Sequence, residues 1–272
     1  MLKLVILIIY FAVLIGIGLY CRKHATDVNG FVLGGRSVGP WLTAFAYGTS
    51  YFSAVVFVGY AGQFGWRYGI AATWAGIGNA IIGSLLAWVV LGRRTRIMSQ
   101  HLDSATMPQY FGKRFGSNPL KIGASVIIFI FLIPYTASLY NGLSRLFGMA
   151  FNIDYSVCII IMATLTAIYV IAGGYMATAI NDFIQGIIML FGIVAVIAAV
   201  IHSKGGFMSA LQGLANASDP AVSDTPGIFA SFFGPDPFNL LCVVILTSLG
   251  TWGLPQMVQK FYAIDNEASI QK

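Results

Sequence analysis

The chain has 272 residues, of which 58% are hydrophobic and only 9% are charged, and its mean hydropathy is +0.82. A soluble domain has roughly a quarter of its residues charged, so this composition excludes a water-soluble protein and indicates an integral membrane protein. The 15 basic residues outnumber the 9 acidic ones, but they lie in short segments between apolar runs, a pattern typical of cytoplasmic loops that argues against nucleic acid as a partner.

Seven apolar runs follow one another along the chain. They cover approximately residues 4–20, 40–60, 68–91, 120–147, 155–172, 183–201 and 238–258. A helix needs about 20 apolar residues to cross a bilayer, so we expect an all-α integral membrane protein with about seven transmembrane helices. A signal peptide is the alternative for the first run, although no cleavage-site pattern precedes the basic cluster that follows it.

Basic residues are concentrated in alternate connections between these runs. The connections after the first, third and seventh runs hold most of them, including the cluster at 93–96. By the positive-inside rule these connections are cytoplasmic. We therefore expect a multi-pass protein of the plasma membrane (the inner membrane of a bacterium) with its N-terminus outside and its C-terminus in the cytoplasm.

The second run carries small and polar residues at its centre, where lipid favours Leu or Ile. They are Gly48, Thr49, Ser50 and Ser53. Glycine has a weak helix preference and hydroxyl groups compete for backbone hydrogen bonds. A helix break here would free carbonyl oxygens, which is how discontinuous transporter helices bind sodium. The alternative is close helix packing, because Ala46, Ser50 and Ala54 recur every four residues.

Two long connections are predicted to contain structure of their own. The segment from Ser104 to Arg114 favours a short amphipathic helix on the cytoplasmic surface, with a solvated loop as the alternative. The segment 202–237 is rich in Gly, Ser, Asp and Pro, which mark turns, and we interpret it as an external loop that is at least partly ordered.

The fourth run is interrupted by Pro134, which is followed by Tyr135 and Thr136. Proline removes a backbone donor and kinks a helix, and the polar groups beside it must face protein or water. Tyr135 is therefore a candidate solute contact, with an interfacial tyrosine as the alternative. The last run is interrupted in a similar way by Gly250, Gly253 and Pro255.

Asp182 is the only acidic residue at the edge of an apolar run. Acidic residues at this depth suggest an ion pathway. The alternative interpretation is an N-cap at the start of the sixth helix, a position that favours Asn and Asp.

Enzyme signatures are missing from the sequence. It contains no HExxH, no Gly-x-Ser-x-Gly and no phosphate-binding loop with its lysine. We therefore expect no enzymatic activity.

Several segments together resemble the sodium/solute symporter family, which includes bacterial proline, pantothenate, sialic acid and sugar carriers. These segments are Gly34-Gly35-Arg36-Ser37, Thr49-Ser50-Tyr51-Phe52, Gly173-Gly174-Tyr175, Asp182-Phe183-Ile184-Gln185 and Gly253-Leu254-Pro255-Gln256. The resemblance implies a LeuT-type core of two inverted five-helix repeats with one extra N-terminal helix. Residues 1–30 would form the extra helix and loop, 38–203 the first repeat, 204–237 the external loop, and 238–260 the first helix of the second repeat.

The resemblance also implies a function and a set of site residues. The function is sodium-coupled import of a small organic solute by alternating access, with Na⁺ as the coupling ion and no other cofactor. Thr49 and Phe52 would bind sodium through backbone carbonyls, and Ser50 and Ser53 would line the same site. Asp182 would lie on the sodium exit path and Arg36 would affect coupling. The solute neighbourhood would contain Tyr135, Trp252, Pro255 and Gln256.

Two differences from the family pattern limit these implications. Tyr51 stands where the proline carriers have an aspartate, and Thr247 and Thr251 stand where they have aromatic residues, which argues against proline as the solute. Family members are also longer, so we expect a fragment in which the second-repeat helices come from the same gene or from another chain. A non-transporting membrane scaffold or regulatory subunit, and a proton-coupled carrier, are the alternative functions.

Overall fold

The structure, a computed structural model, describes residues 2–52 and 60–271, and most of them are helical. In this part of the chain the α-helices are α1 Leu2–Cys21, α2 Val28–Leu33, α3 Pro40–Tyr51, α4 Ala61–Tyr68, α5 Thr73–Gly78, α6 Arg93–His101, α7 Met107–Phe115, α8 Asn118–Phe151, α9 Tyr155–Ser203, α10 Phe207–Ala215, α11 Pro237–Gly250 and α12 Pro255–Ala263. Two π-helical segments, Asn79–Leu86 and Trp88–Gly92, and several short 3₁₀ turns connect them.

Several of these helices have the length and composition of membrane spans. Three helical stretches qualify among the described residues: Ala61–His101, Asn118–Phe151 and Tyr155–Ser203. The bent pair Pro237–Gly253 and Pro255–Ala263 makes a fourth if it is counted as one span, and Val5–Cys21 is a shorter apolar helix. Large side chains such as Phe129 and Phe191 are more than two-thirds exposed. These surfaces suit lipid, so the chain is an all-helical membrane protein.

The predicted apolar runs fall on these helices, with one run only partly described. The run at 40–60 is helical over Pro40–Tyr51, and its second half extends into residues 53–59, outside the described residues. At about 1.5 Å per residue, the 49 residues of α9 would extend for about 70 Å, more than twice the apolar thickness of a bilayer. It holds both runs predicted at 155–172 and 183–201.

Gly174 separates the two parts of α9. Its φ of 56° and ψ of −149° are not helical and lie in a region that is essentially restricted to glycine. A Cβ atom at this position would also lie 2.8 Å from the carbonyl oxygen of Phe31. The sequence therefore needs glycine here both for the backbone turn and for the close approach of α2.

Both long connections between the apolar runs contain helical segments. The helix α7 forms within the segment around Ser104 to Arg114, and Thr106 caps it by accepting a hydrogen bond from the Gln109 backbone N–H. The segment 202–237 contains α10 and a 3₁₀ turn at Ile228–Ala230. The short helix expected in the first connection is thus confirmed, and the second connection is partly ordered.

The chain divides into two compact units. The first unit comprises the described residues of Met1–Val55 together with Trp88–Gly186 and Leu254–Lys272. In it α12 packs against α3 and α6, and α7 packs against α8.

The second unit comprises the described residues of Val56–Ala87 and the segment Ile187–Gly253. Its core is built where α11 packs against α5, and it includes the buried side chains of Tyr68, Leu240 and Val244.

Candidate functional site

The helix α3 ends at the predicted sodium site. Its last residue is Tyr51, and Phe52 leaves the helix with φ −88° and ψ 62° while its N–H donates to the Gly48 carbonyl. The Thr49 hydroxyl donates to the Phe45 carbonyl at 2.8 Å. Carbonyl oxygens at the end of an interrupted helix are the kind of ligand that transporter helices offer to sodium. Ser53 lies outside the described residues.

A cavity of about 900 Å³ in the first unit brings five predicted site residues together. Residues of α3, α7, α8, α9 and α12 line it, and every lining side chain is neutral. The predicted residues among them are Thr49, Ser50, Tyr135, Pro255 and Gln256. The residues assigned to sodium and those assigned to the solute, which are far apart in the sequence, therefore border the same space.

Gln256 has unmet hydrogen-bonding capacity beside this cavity. Its side-chain Oε1 and Nε2 are both buried, and neither has a hydrogen-bond partner among the described residues. A buried polar group without a partner costs about 1–3 kcal/mol. Gln259, one turn away, is instead satisfied because its Nε2 donates to the Val32 carbonyl. The Gln256 amide therefore has unused hydrogen-bonding capacity, whereas the Gln259 amide joins α12 to α2.

The cavity contains polar residues to which the sequence analysis gave no role in a site. Gln185 and Gln259 line it, and so do Thr136 and Ser125. Gln185 follows Asp182 in one of the segments that carry the family resemblance, which is the signal that could have identified it.

Gly186 allows α3 to pack closely against α9. A Cβ atom at Gly186 would lie 2.5 Å from Cδ1 of Phe45 and 3.1 Å from Cγ2 of Thr49. The rings of Phe45 and Phe183 also meet edge to face, with centroids 4.8 Å apart. Since Gly186 is four residues after Asp182, this contact lies about one helical turn from the Asp182 carboxylate.

Asp182 does not cap a helix. It lies in the interior of α9, eight residues after the break at Gly174, so the N-cap interpretation is wrong. The sequence misled here because the apolar run resumes only at Phe183, whereas the helix already resumes after the glycine. A half-buried carboxylate on a helix interior keeps the ion-pathway interpretation open.

Lys260 is buried, although it follows the seventh apolar run and was therefore counted among the basic residues of a cytoplasmic connection. It is 6% exposed, and its Nζ atom lies 5.2 Å from the centroid of the Tyr175 ring. The available signal was its position inside α12, where the flanking Met257, Val258 and Phe261 are apolar.

Arg36 ties the loop before α3 to the ends of two other helices. Its guanidinium donates to the Ser99 and Ser104 carbonyls at the end of α6 and to the Tyr262 carbonyl in α12. Arg36 itself has a φ of 55°, an uncommon conformation for a side chain of this size. Burial, and secondarily the positive charge of Arg96, lowers the pKa of Arg36, but arginine stays protonated.

Arg96 completes the same arrangement. It donates to the Ile264 carbonyl at 2.6 Å and to the Asp265 carbonyl at 3.0 Å, and Val38 forms a parallel bridge with Ile264. The C-terminal end of α12 is thus held by two arginines and by the loop that carries Arg36. Movement of α12 would have to break these hydrogen bonds.

Trp252 belongs to the second unit. Its indole Nε1 donates to the Ile82 carbonyl at 3.0 Å, and in the same unit Ser248 donates to the Asn79 side chain. The indole donor is therefore already used within that unit.

Comparison with known proteins gives a consistent picture. The model of the Sodium:solute symporter family matches residues 31–272. The Osmoregulated proline transporter OpuE of Bacillus subtilis (strain 168) is 32% identical over 259 residues, 94% of this chain and 51% of the relative. The Sodium/proline symporter of Staphylococcus aureus (strain JH9) is 31% identical over 282 residues, 98% of this chain and 51% of the relative. The chain spans about half the length of the curated relatives it matches.

Proposed function

The chain belongs to the sodium:solute symporter family, and on this basis we propose that it acts in a sodium-coupled carrier that imports a small organic solute by alternating access. The family consists of transporters and not of enzymes. The long apolar helices of this chain suit a multi-pass protein of the plasma membrane. The observation that carries the proposal is the shared cavity, where the end of α3 meets Tyr135 and Gln256.

Sodium would bind at the end of α3. Backbone carbonyls of Thr49 and Phe52 and the hydroxyls of Ser50 and Ser53 are the proposed ligands, because unwound helix segments supply such oxygens to sodium. The Thr49 hydroxyl donates within its own helix, which leaves its lone pairs to accept a cation. Asp182 lies about one helical turn from the contact between Thr49 and Gly186, and we place it on the path by which sodium leaves.

The solute would occupy the cavity beside this helix end. We assign solute contacts to Tyr135, Pro255 and Gln256, with Trp252 as a further candidate. A neutral lining favours an uncharged solute such as a sugar, because an unpaired charge in such a space is costly. Both relatives described above are proline carriers by name, whereas Tyr51, Thr247 and Thr251 argue for a different solute.

Arg36 would act in coupling, since it joins the loop before α3 to α6 and α12. The proposal includes the organisation expected from the sequence: an outside N-terminus, a LeuT-type first repeat at 38–203, and second-repeat helices from the same gene or another chain that complete the sodium site. Occupation of one site would then strengthen binding at the other.

The test is uptake by the intact gene product in proteoliposomes. Radiolabelled L-proline, pantothenate, sialic acid and glucose serve as probes, each under an inward sodium gradient, with choline in place of sodium, and under a pH gradient alone. We expect sodium-dependent accumulation of one probe. Equal uptake in choline contradicts sodium coupling, uptake driven by the pH gradient indicates a proton-coupled carrier, and correct insertion without binding or uptake of any probe indicates a scaffold or regulatory subunit.

A further inference from the structure

Lys260 is a buried lysine whose ammonium group makes no direct ion pair within the described residues. Only 6% of its surface is exposed, and in the described part of the chain the single ion pair joins Arg93 to Glu267. The Lys260 ammonium instead faces the Tyr175 ring at 5.2 Å, a cation–π contact. Such a contact offsets only part of the cost of burying a charge, so Lys260 needs an anion within electrostatic reach.

Asp182 is the one acidic residue of α9, the helix that carries Tyr175. It follows Tyr175, whose ring faces the Lys260 ammonium, by seven residues, or about two helical turns. Asp182 lies in the interior of α9 and Lys260 in α12, so the pair links two helices of the first unit. The two side chains are farther apart than the 4.0 Å of a direct ion pair, and neither forms a hydrogen bond with another described residue. Each charge therefore retains binding capacity for something else.

The neighbouring polar atoms on α9 are also without partners. Both side-chain atoms of Asn181 and the Tyr175 hydroxyl are buried and make no hydrogen bond within the described residues. Native structures satisfy buried polar atoms with protein, water or ions. An acid, an ammonium and these unpartnered donors and acceptors therefore lie on α9 and α12 within the first unit.

We propose that Lys260 is the resident counter-ion of Asp182 and that sodium, on its way out, must compete with the Lys260 ammonium for this carboxylate. The inference rests on the proposed function and assigns a residue that controls sodium release. One carboxylate cannot neutralise two cations, and charges repel strongly in a medium of low dielectric constant. Lys260 therefore weakens sodium binding at Asp182 and neutralises the carboxylate once sodium has left.

The experiment uses the intact gene product in lipid nanodiscs. Its melting temperature is measured while NaCl replaces choline chloride at constant ionic strength, which gives the sodium concentration for half the maximal stabilisation. Lys260→Gln is expected to lower this concentration about tenfold, in the usual range of coupling between two sites. Lys260→Arg should restore the wild-type value, and Asp182→Asn should reduce the sodium response sharply.

A matched control removes a positive charge elsewhere. Lys121 is an exposed residue of α8, and Lys121→Gln should leave the half-saturating sodium concentration unchanged. The proposal is overturned if Lys260→Gln has the wild-type value, or if Lys121→Gln lowers that value as much as Lys260→Gln does.

A second measurement separates this inference from the proposed function. In choline alone, the melting temperatures of Lys260→Gln, Asp182→Asn and the double variant form a double-mutant cycle. If the double variant is more stable than the sum of the two single changes would predict, the counter-ion pair is supported. If the changes are additive, the pair is overturned. A wild-type melting temperature that does not change with sodium contradicts the proposed function. The double-mutant cycle in choline then still decides whether Lys260 and Asp182 are paired.

Discussion

Gln256 and Gln259 carry the same side chain on the same helix, but their amide groups differ in hydrogen bonding. The Gln256 amide is without a partner in the described residues, whereas the Gln259 amide donates to the Val32 carbonyl. Both residues lie on α12 and line the same cavity. Their different hydrogen bonding predicts different consequences for the same substitution.

Gln256→Leu should leave stability unchanged or raise it, because it removes a buried group that has no partner. The same change should weaken solute binding by up to about tenfold, since a lost hydrogen bond to a ligand costs about 0.5–1.5 kcal/mol. Gln259→Leu should lower stability by about 1 kcal/mol. Melting temperature and binding of the transported probe measure both effects, and a strong loss of stability in Gln256→Leu would show that the amide is structural.

At the scale of elements, glycines decide where helices approach and where they break. The contact between α3 and α9 depends on Gly186, where a Cβ atom would meet Phe45 and Thr49. The break within α9 depends on Gly174. The two glycines act differently, one through the space that a side chain would need and one through the backbone conformation.

Gly186→Ala should destabilise the protein by about 1–3 kcal/mol through overpacking and should also reduce sodium affinity by displacing Thr49. Gly192→Ala is the matched control on the same helix, because nothing lies within 4 Å of a Cβ atom there. It should be neutral or slightly stabilising, as alanine favours helix more than glycine. Equal melting temperatures for the two variants would contradict the close contact.

Gly174→Ala should cost more than Gly192→Ala, even though both lie within α9. The conformation at Gly174 costs another residue about 1–3 kcal/mol, and the new Cβ atom would also meet the Phe31 backbone. The measurement is the melting temperature in nanodiscs. A variant as stable as wild type would mean that the α9 break does not require a positive φ.

At the scale of the whole molecule, charge distribution predicts the orientation in the membrane. The basic connections, such as the one at 93–96, should be cytoplasmic, and the segment that holds α10 should be external. With the native cysteines replaced, a single cysteine at Ser209 in α10 should react with a membrane-impermeant maleimide added outside, and one at Arg94 should not. The reverse labelling pattern would invert the orientation.

Coupling between sodium and solute is also a property of the whole carrier. If sodium tightens binding of the transported probe by some factor, the probe must tighten sodium binding by the same factor. Isothermal titration of each ligand in the presence and absence of the other measures both factors. A solute affinity that is the same in sodium and in choline would remove the thermodynamic basis for symport.

The sequence by itself determined the membrane class, the positions of the apolar helices and the family, because these depend on composition, on run length and on short segments such as Gly173-Gly174-Tyr175. It also named five of the residues that line the cavity, on α3, α8 and α12. Only the tertiary structure decided that Asp182 lies inside a helix, that Gln256 and not Gln259 has an open amide, and that Lys260 is buried facing Tyr175. The physical reason is that burial and hydrogen-bond satisfaction depend on neighbours more than 70 residues away, which a local sequence pattern does not contain.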